Sequence, residues 1–346
     1  MGKSSANVLA TLISTAVLLV TGCHRGGNPG MLAGIDADAG PFEVTGPYAH
    51  ENLSVFLIHS SNQDERDFIT LDQGFKEGWV KVSEKQREEV GELQIENQSE
   101  YPLFLQEGDR LQGGKQDRII IASLVVPPKS GTMTVPAFCI EPGRWQASDH
   151  GLAFASTANT ALAPKSTRQA AKFEKSQHKV WESVHRQRES YRGYMSAGMQ
   201  SSSLNEALDS PQVQKISEEF ARALENVLKD QEDAVGVAIA INGNIEEVNI
   251  YPNHALLQKL YPRLLQSYGL QATLEKDQAK EGKELVAADI SKFMAEEKGK
   301  ARQSQAINVD NSASLAVDFD GDASTTYYKG KAVHQQMLSK KSPVDK

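Results

Sequence analysis

The stretch Val235-Gly236-Val237-Ala238-Ile239-Ala240-Ile241-Asn242-Gly243 decides the fold class of this chain. Val235–Ile241 is a short apolar run without charge, which predicts a buried strand. Asn242-Gly243 is a pair that two-residue hairpins prefer, because such turns need positive φ angles. We therefore expect Glu246–Tyr251 to return as an antiparallel neighbour of the first strand.

Helical patterns lie on both sides of this hairpin. In Leu204–Asp230, apolar residues recur at three- and four-residue steps, as on the buried face of a helix. His254–Leu274 shows the same pattern, and Pro262 inside it is expected to kink the helix or to mark a restart. Similar spacing predicts helices over Thr167–Arg192 and Val286–Lys298.

Short strands dominate the first half of the chain. Short apolar or alternating runs bounded by turn residues are typical of strands. The predicted strands of this half are Asn52–Ser60, Trp79–Ser83, Glu92–Glu96, Pro102–Leu105, Ile119–Val126 and Thr132–Ile140. Between the first two, Phe68–Gly78 predicts a short helix or a turn. We expect a sandwich-like or meandering β-rich region over residues 46–150.

The second half mixes helices with antiparallel strands. Near its end, three strands are predicted at Leu315–Phe319, Thr325–Tyr328 and Ala332–Met337. Small and polar residues over Gly151–Lys165 predict a linker or a surface loop between the halves. The chain lacks the regular alternation of strands and helices that builds a parallel sheet. We therefore predict an α+β fold, with a β-rich first half and a mixed helix and antiparallel-strand second half over residues 166–338.

Composition limits the partners and the redox chemistry. The formal net charge is -8, and no basic run with interleaved aromatic residues occurs, so no nucleic-acid partner is expected. The two cysteines are Cys23 and Cys139. Because the N-terminal pattern described next uses Cys23, we expect Cys139 to be a buried, unreactive thiol without a disulfide.

The N-terminal segment has the pattern of a secretory signal. Lys3 precedes the uncharged, mostly apolar run Val8–Val20, and Cys23 comes directly after a small residue. A membrane-spanning helix needs about 20 apolar residues, and this run is shorter. The pattern resembles a bacterial lipoprotein signal, which implies that residues 1–22 are removed and that Cys23 carries acyl chains such as palmitate. An uncleaved membrane anchor is the alternative.

The lipoprotein resemblance also implies a location. It places the mature chain in the bacterial cell envelope, lipid-anchored to the outer membrane and facing the periplasm. Residues 23–45 contain many glycines and no apolar periodicity, so they predict a flexible tether. We expect the folded body over residues 46–338 and a disordered tail over residues 339–346.

The loop Glu107–Arg118 is the first candidate binding site. Four side chains place hydrogen-bond donors in a loop that contains three glycines: Arg110, Lys115, Gln116 and Arg118. Glycine lets backbone N–H groups approach an anion, and Lys and Arg supply positive charge. The spacing is not that of a phosphate-binding P-loop. A solvated hairpin with its charges in water is the alternative.

The segment Cys139–Trp145 is the second candidate. Glu141, Arg144 and Trp145 follow a predicted strand, and together they could line a pocket. The alternative is structural: Glu141 pairs with Arg144 while Trp145 covers the core, since tryptophan is mostly a buried body with a polar edge.

No metal site and no cofactor are predicted. Acidic residues alternate over Asp318–Asp322, as at the start of a calcium loop, but Gly321 and Lys329 do not fit the calcium pattern. A hairpin turn is the simpler interpretation. His178 and His185 lie one heptad apart on a charged helix without further ligands nearby, which favours solvent exposure over metal binding.

Several segments follow, in order, the pattern of one protein family. They are Glu51–Phe56, Phe68–Asp72, Leu93–Asn97, Gly114–Arg118, Val126–Pro128, Cys139–Trp145, Val235–Gly243 and Leu264–Tyr268. They resemble the ARG and Rhodanese-Phosphatase-superfamily-associated protein domain over most of residues 46–338. Asp117 stands where the resemblance leads us to expect Asn. The family name records an association and not a reaction, so the resemblance implies one continuous domain and supplies no catalytic residues.

Two functions of different class follow from these patterns. The first is a non-catalytic binding or interaction module, held at the membrane by its lipid, with an envelope protein as partner. The alternative is an enzyme or ligand-binding domain that acts on an anionic small molecule. Its candidate residues are Lys115, Gln116, Arg118, Glu141, Arg144 and Trp145. Convergence of these side chains in one concave pocket would favour the alternative.

Overall fold

The structure is a computed structural model that describes residues 42–85, 91–144, 146, 151, 153–157, 160–194, 202–276, 283–297, 304–309, 312–318 and 321–339. Both helices and antiparallel strands occur in these residues, which confirms the predicted α+β class with its β-rich first half. Cys23, Trp145 and the predicted signal over residues 1–22 lie outside the described residues.

The strands lie along the whole described chain. They are β1 Glu43–His50, β2 Leu53–His59, β3 Ile69–Thr70, β4 Val80–Glu84, β5 Glu92–Asn97, β6 Leu103–Leu105, β7 Arg110–Gly113, β8 Arg118–Ile120, β9 Leu124–Val126, β10 Met133–Cys139, β11 Phe154–Ala155, β12 Ala234–Ile241, β13 Asn244–Ile250, β14 Ser304–Val309, β15 Ser312–Asp318, β16 Gly321–Tyr328 and β17 Lys331–Ser339. The strand β1 begins inside the predicted tether, and β17 includes the first residue of the predicted tail, so the folded body is slightly longer than expected.

The helices fall mostly in the second half. They are α1 Leu71–Lys76, α2 Lys165–Lys172, α3 Gln177–Tyr191, α4 Leu204–Leu208, α5 Pro211–Leu224, α6 His254–Glu275 and α7 Ala287–Glu297, with short 3₁₀ turns at Arg192–Tyr194 and Glu225–Leu228. No helix of the described part combines the length and the apolar character that crossing a membrane requires.

The largest described sheet joins the two halves of the chain. Its strand order is β1-β2-β12-β13-β17-β16-β15-β14. The predicted hairpin is present as β12 and β13, with φ of 49° at Asn242 and 71° at Gly243. Because β2 pairs with β12 over Leu53 to His59, the start of the first half belongs to this sheet and not to a separate sandwich.

Two smaller sheets form the rest of the β-rich first half. Six strands pair in the order β11-β7-β8-β10-β5-β4, and three pair in the order β3-β6-β9. Apolar side chains from both sheets, among them Val82, Ile95, Leu105 and Val126, share one buried cluster. In the three-stranded sheet β3 lies parallel to β6, and β6 lies antiparallel to β9.

Helices cover both faces of the large sheet. On one face, Val237 and Ile239 of β12 share a core cluster with Leu257 and Leu264 of α6. On the other face, Ile290 of α7 belongs to a second cluster. The helix α6 runs through Pro262 without the restart that the sequence allowed, because packing on the sheet holds the helix on both sides of the proline.

Three predicted elements are divided in the structure. Ile119–Val126 is two strands, β8 and β9, which lie in different sheets. Thr167–Arg192 is two helices, because the side chain of Ser176 caps a new helix by accepting from the N–H of Lys179. Leu204–Asp230 is α4, α5 and a 3₁₀ turn, and the division falls at Pro211 in the first turn of α5.

The predicted linker Gly151–Lys165 is not a simple surface loop. It contributes β11 to the six-stranded sheet, and Ala161, Leu162 and Ala163 are buried. The strand β14 was not predicted at all. Small residues, which the sequence analysis took as a sign of a linker, pack in the interior here because they fit between elements.

Candidate functional site

The two predicted motifs meet in the structure. The Arg144 guanidinium donates to the carbonyl oxygens of Gly114 at 3.0 Å and of Gly113 at 3.2 Å. It also pairs with the carboxylates of Glu141 at 2.7 Å and of Asp117 at 3.3 Å. These carboxylates raise the pKa of Arg144, although burial alone would lower it. The loop Glu107–Arg118 and the segment after β10 therefore form one cluster.

Gln116 and Glu141 hold the backbone of this cluster. The Gln116 side-chain amide donates to the backbone carbonyl of Glu141 at 2.7 Å, and the Glu141 carboxylate accepts from the N–H of Asp117 at 3.1 Å. Ser203, at the start of α4, donates its hydroxyl proton to Asp117 at 2.6 Å. Burial raises the pKa of Asp117. The polar groups of the motif are thus used in fixing two loops and a helix end.

Arg118 is buried and faces inward. Its guanidinium donates to both carboxylate oxygens of Glu84, at 3.0 and 3.1 Å, and contacts the Cys139 sulfur. Cys139 is a free, buried thiol, as predicted, and burial raises its pKa to about 11 despite the neighbouring Arg118. The thiol is therefore protonated at neutral pH, and the reactive thiolate form is scarce.

The charged side chains of the cluster pair with one another, and the carboxylates outnumber the guanidinium groups. The ion pairs join two guanidinium groups, of Arg118 and Arg144, to three carboxylates, of Glu84, Asp117 and Glu141. Lys115 is half-buried, and its backbone N–H donates to Glu84 at 3.3 Å. No local sequence pattern links Glu84 to this loop, because Glu84 lies on a different strand. An added anion would compete with these carboxylates for the same donors.

A second polar group of residues lies under the helix α2. Lys165, Arg168 and Lys172 recur at three- and four-residue steps, so they share one face of the helix. All three side chains are buried against the large sheet. This face of α2 was not singled out from the sequence, because charged residues at such spacing are usually exposed.

A β-bulge aims two consecutive carboxylates at this face. Ile239 pairs with Glu247 and Ala240 pairs with Ile245, so Glu246 has no partner on β12. A bulge re-aims side chains that would otherwise point to opposite faces of the sheet.

Each basic residue of α2 has a carboxylate partner. Lys165 lies 2.7 Å from Glu246, and Arg168 donates to Glu247 in two bonds of 3.0 and 2.6 Å. Lys172 contacts Glu107 from the predicted loop.

Burial makes this network electrostatically costly. Burial raises the pKa of Glu107 and of Glu246, and the neighbouring lysines offset only part of that effect. Replacing one partner of a buried pair leaves an uncompensated charge, which typically costs about 3–5 kcal/mol. The network therefore fixes how α2 lies on the sheet.

A serine, a histidine and an asparagine meet beside this network. The Oγ of Ser123 lies 2.9 Å from Nδ1 of His334, and Nε2 of His334 lies 3.0 Å from Oδ1 of Asn249. Burial lowers the pKa of His334 well below its usual value, and Lys172 and Arg168 act in the same direction. The imidazole is therefore neutral, with Nδ1 accepting from Ser123 and Nε2 donating to Asn249.

The side chains of Ser123, His334 and Asn249 have donor and acceptor groups that nucleophilic catalysis can use, but a substrate cannot reach them. Ser123 and His334 are each 1% exposed. The Ser123 hydroxyl also accepts from the backbone N–H of Glu107 at 3.0 Å. A nucleophile must reach its substrate as well as its base. The three residues act as a buried hydrogen-bond connection between β9, β13 and β17.

An open cleft lies at one end of the large sheet. Its volume is about 660 Å³, and the segments 63–67, 228–232 and 253–258 line it. The side-chain amide of Asn253 donates to the carbonyl oxygens of Asp64 at 2.7 Å and of Arg66 at 2.9 Å. Arg66 in turn forms a two-pronged pair with Asp64 and lies over the ring of Tyr328. One wall of the cleft is therefore held in place by specific contacts.

The lining of the cleft is acidic. Carboxylates outnumber basic groups, with Asp64, Glu65, Asp67, Asp230 and Glu232 against Arg66 and Lys229. Arg66 neutralises Asp64 and lowers its pKa, and Lys259 pairs with Asp67 at 2.7 Å. Within the described part of the chain, Glu65, Asp230 and Glu232 have no such ion pair.

The cleft lies at the end of the sheet where the described chain begins. Glu43 at the start of β1 pairs with His59, and Nδ1 of His59 lies 2.9 Å from the Asp233 carboxylate. No sequence pattern predicts the cleft, because its three segments are far apart in the chain and each resembles an ordinary polar loop.

The structure gives no metal-ligand cluster among the described residues. No group of three or more His, Cys, Asp or Glu side chains in that part is arranged to hold an ion. His178 and His185 are exposed on α3, as predicted. The acidic turn Asp318–Asp322 lies partly outside the described residues.

Comparison with known proteins gives one match. The sequence profile of the ARG and Rhodanese-Phosphatase-superfamily-associated Protein domain matches residues 41–338. No curated protein and no solved structure matches the chain. The match covers most of the sequence, and it confirms the family resemblance that the motifs predicted.

Proposed function

The chain belongs to the family of the ARG and Rhodanese-Phosphatase-superfamily-associated Protein domain, and we propose that it is a non-catalytic binding module. Its ligand is a short basic segment of a protein partner in the cell envelope. The family description names no reaction, so the proposal rests on the geometry of the chain itself.

The open cleft is the observation that carries this proposal. Its volume of about 660 Å³ falls in the range of roughly 300–1,000 Å³ that ligand sites occupy. Asn253 and the pair of Asp64 with Arg66 hold one wall in place, which reduces the entropy lost on binding. A preformed, accessible cavity is what a binding module needs.

The charge of the cleft indicates the class of ligand. Glu65, Asp230 and Glu232 carry negative charge that no ion pair within the described residues offsets. Such a field attracts cations and repels anionic membrane surfaces. Lys and Arg side chains of a partner would form ion pairs with these carboxylates, and binding would weaken as added salt screens the charges.

Catalysis has less support from the same structure. Cys139 is buried and protonated at neutral pH, and the Ser123 hydroxyl is buried beside a neutral His334. The alternative of an anionic ligand at Lys115, Arg118 and Arg144 stays a prediction. We do not favour it, because three carboxylates already occupy the donors of that cluster.

A lipid on Cys23 would hold the module at the membrane. This part of the proposal rests on the N-terminal sequence pattern, which also supports a location on the outer membrane facing the periplasm. A fully extended segment 24–41 reaches at most about 60 Å. Because the described chain begins beside the cleft, the cleft would lie within that reach of the membrane surface.

Charge removal in the cleft tests the binding function. We expect acetyl-trilysine amide to bind the purified chain in a fluorescence anisotropy titration, and acetyl-triglutamine amide not to bind. The double variant Glu65→Gln/Glu232→Gln should weaken trilysine binding roughly tenfold, since each exposed pair contributes up to about 1 kcal/mol. Glu218→Gln/Glu219→Gln, on the exposed face of α5, removes the same charge elsewhere and should leave binding unchanged.

Equal weakening by both double variants would show a general charge effect and would overturn the assignment of the cleft. Absence of trilysine binding to the unmodified chain at low salt would overturn the basic-segment proposal.

Metabolic labelling tests the anchor separately. The natural chain should incorporate palmitate and fractionate with membranes. Cys23→Ser should abolish both and leave an unprocessed precursor, while the control Cys139→Ser should label normally. Labelling of the Cys23→Ser chain would contradict the lipoprotein proposal without touching the cleft.

A further inference from the structure

We propose that a second, smaller pocket beside the cleft binds a small aromatic or branched-chain carboxylate. The pocket has a volume of about 160 Å³ and lies between the loop after β2, the end of β13 and the start of β17. It shares Gln63 and Asp64 with the cleft but is otherwise lined by different residues.

The pocket as a whole has about the volume of one ring, and part of its lining is apolar. Phe42, Val235, Ile250 and Ala332 contribute apolar walls. A cavity of about 150 Å³ with such walls is large enough to hold benzene. Burial of a ring or a branched aliphatic group in this space would supply the non-directional part of the binding free energy.

The charge at the pocket favours one negative group. Lys331 is the basic residue among the lining residues, and Asp64 is the acidic one. The Arg66 guanidinium already neutralises Asp64 through a two-pronged pair, which lowers the pKa of that carboxyl. Lys331 also lowers the pKa of Asp64, as a weaker influence than Arg66. Within the described chain Lys331 is exposed and forms no ion pair, so its ammonium group can contact a ligand carboxylate.

The combination of features sets the class of ligand. One exposed ammonium beside a ring-sized, partly apolar space matches a compound with one carboxylate and one compact apolar group. The second negative charge of a dianion would be repelled by the carboxylate of Asp64, and a cation would be repelled by the ammonium group of Lys331. This inference does not depend on the basic-segment proposal, because the charges of the two sites have opposite sign.

Titration with a matched pair of probes tests this site. Benzoate carries the ring and the charge, and benzamide carries the ring alone. We expect the full chain to bind benzoate about tenfold more tightly than benzamide in ligand-observed NMR titrations. Lys331→Met should weaken benzoate binding about tenfold and leave benzamide binding unchanged, because only the charged partner is lost. Lys215→Met, an exposed lysine of α5, is the control and should change neither.

A second variant tests the apolar wall. Phe42 is half-buried at the start of the described chain, so Phe42→Ala should leave the fold intact while weakening both probes by a similar factor, roughly fivefold. Binding of benzoate that neither Phe42→Ala nor Lys331→Met affects would place the ligand elsewhere and overturn the proposal. Equal affinity of the natural chain for benzoate and benzamide would overturn the role of Lys331.

Discussion

The charge state of His334 depends on the residues that surround it. Its imidazole stacks on the ring of Tyr251 with centroids 4.9 Å apart, and Lys172 and Arg168 keep further positive charge nearby. Protonation would bury a third cation beside them and would remove the acceptor that Ser123 uses. The folded chain therefore excludes the proton that the unfolded chain accepts in mildly acidic solution.

This exclusion predicts a pH dependence of stability. Below pH 6.5 the unfolded chain protonates His334 and the folded chain does not, so the free energy of unfolding falls by up to about 1.4 kcal/mol per pH unit from this group. Asp109 has the opposite effect on stability. Burial raises its pKa from 3.8 to about 6, so the folded chain holds this proton more tightly than the unfolded chain does. The stability that the bound proton contributes at low pH is therefore lost as the pH rises from 3.8 to about 6.

Urea denaturation at several pH values separates the two effects. His334→Gln cannot take up a proton, so its free energy of unfolding should lose less than that of the natural chain between about pH 7 and pH 5.5. Parallel pH profiles for the two proteins would show that His334 titrates alike in the folded and unfolded states.

Arg118 tests whether the predicted motif is structural. Arg118→Met removes the two guanidinium hydrogen bonds of the Glu84 carboxylate and leaves it only the backbone N–H of Lys115, so we expect a loss of about 3 kcal/mol in the free energy of unfolding. Lys115→Ala, in the same loop but half-buried, should lose less than about 1 kcal/mol. Similar small losses for both variants would argue that the Arg118 pair contributes little.

The sequence identified these residues but not their role. Gln116, Arg118, Glu141 and Arg144 lie in one cluster, whereas the alternative hypothesis required their convergence in a concave pocket. Glu84 precedes Arg118 by 34 residues, and no local pattern marks it as a partner. Local chemistry can be predicted from a loop sequence, whereas charge compensation depends on which strand the fold places beside it.

At the scale of elements, α2 is fixed on the sheet by ion pairs rather than by apolar packing alone. Its basic face covers the bulge of β13 and reaches Glu107 at the end of the three-stranded sheet. Buried ion pairs are weak evidence for stability, but removing one partner leaves an uncompensated buried charge. The helix therefore couples the large sheet to the small one.

A double-mutant cycle measures this coupling. Lys172→Met leaves the Glu107 carboxylate with only the more distant Arg168 guanidinium at 3.9 Å and should cost about 3 kcal/mol. Lys172→Met combined with Glu107→Gln should cost less than the sum of the single variants. The readout is the free energy of unfolding in urea. Additive losses would mean that Lys172 and Glu107 do not interact as the structure shows.

The division between α2 and α3 shows why boundaries were missed. Apolar spacing continues from Thr167 to Arg192 and predicts one helix. The cap at Ser176 depends on a hydrogen bond to Lys179, and Lys175 takes a φ of 49°, so local backbone geometry ends the first helix. A serine in a charged, helical sequence does not by itself predict such a break.

At the scale of the molecule, the central sheet takes strands from both halves of the chain. The apolar run at Val235–Ile241 predicted β12 and its hairpin, because a short apolar run and an Asn-Gly turn are local signals. The pairing of β12 with β2 was not predicted, because it joins segments separated by most of the chain. Long-range pairing depends on complementary edges and shared cores, which single-sequence patterns do not encode.

This topology predicts that the first half does not fold alone. A fragment of residues 42–160 loses β12, so β2 exposes both its open edge and apolar side chains such as Leu57, which belong to the shared core. We expect the fragment to lack cooperative unfolding in circular dichroism melts and to aggregate. A sharp melting transition for the soluble fragment would show that residues 42–160 form an independent domain.

The position of a bound peptide shows directly whether the acidic cleft is the functional site. Titration of the isotope-labelled chain with acetyl-trilysine amide, followed by amide chemical shifts, reports every residue whose surroundings change. We predict saturable shifts concentrated in segments 63–67, 228–232 and 253–258, which line the cleft. Shifts concentrated instead in residues 113–118 and 141–144, or no saturable shifts at all, would contradict the account.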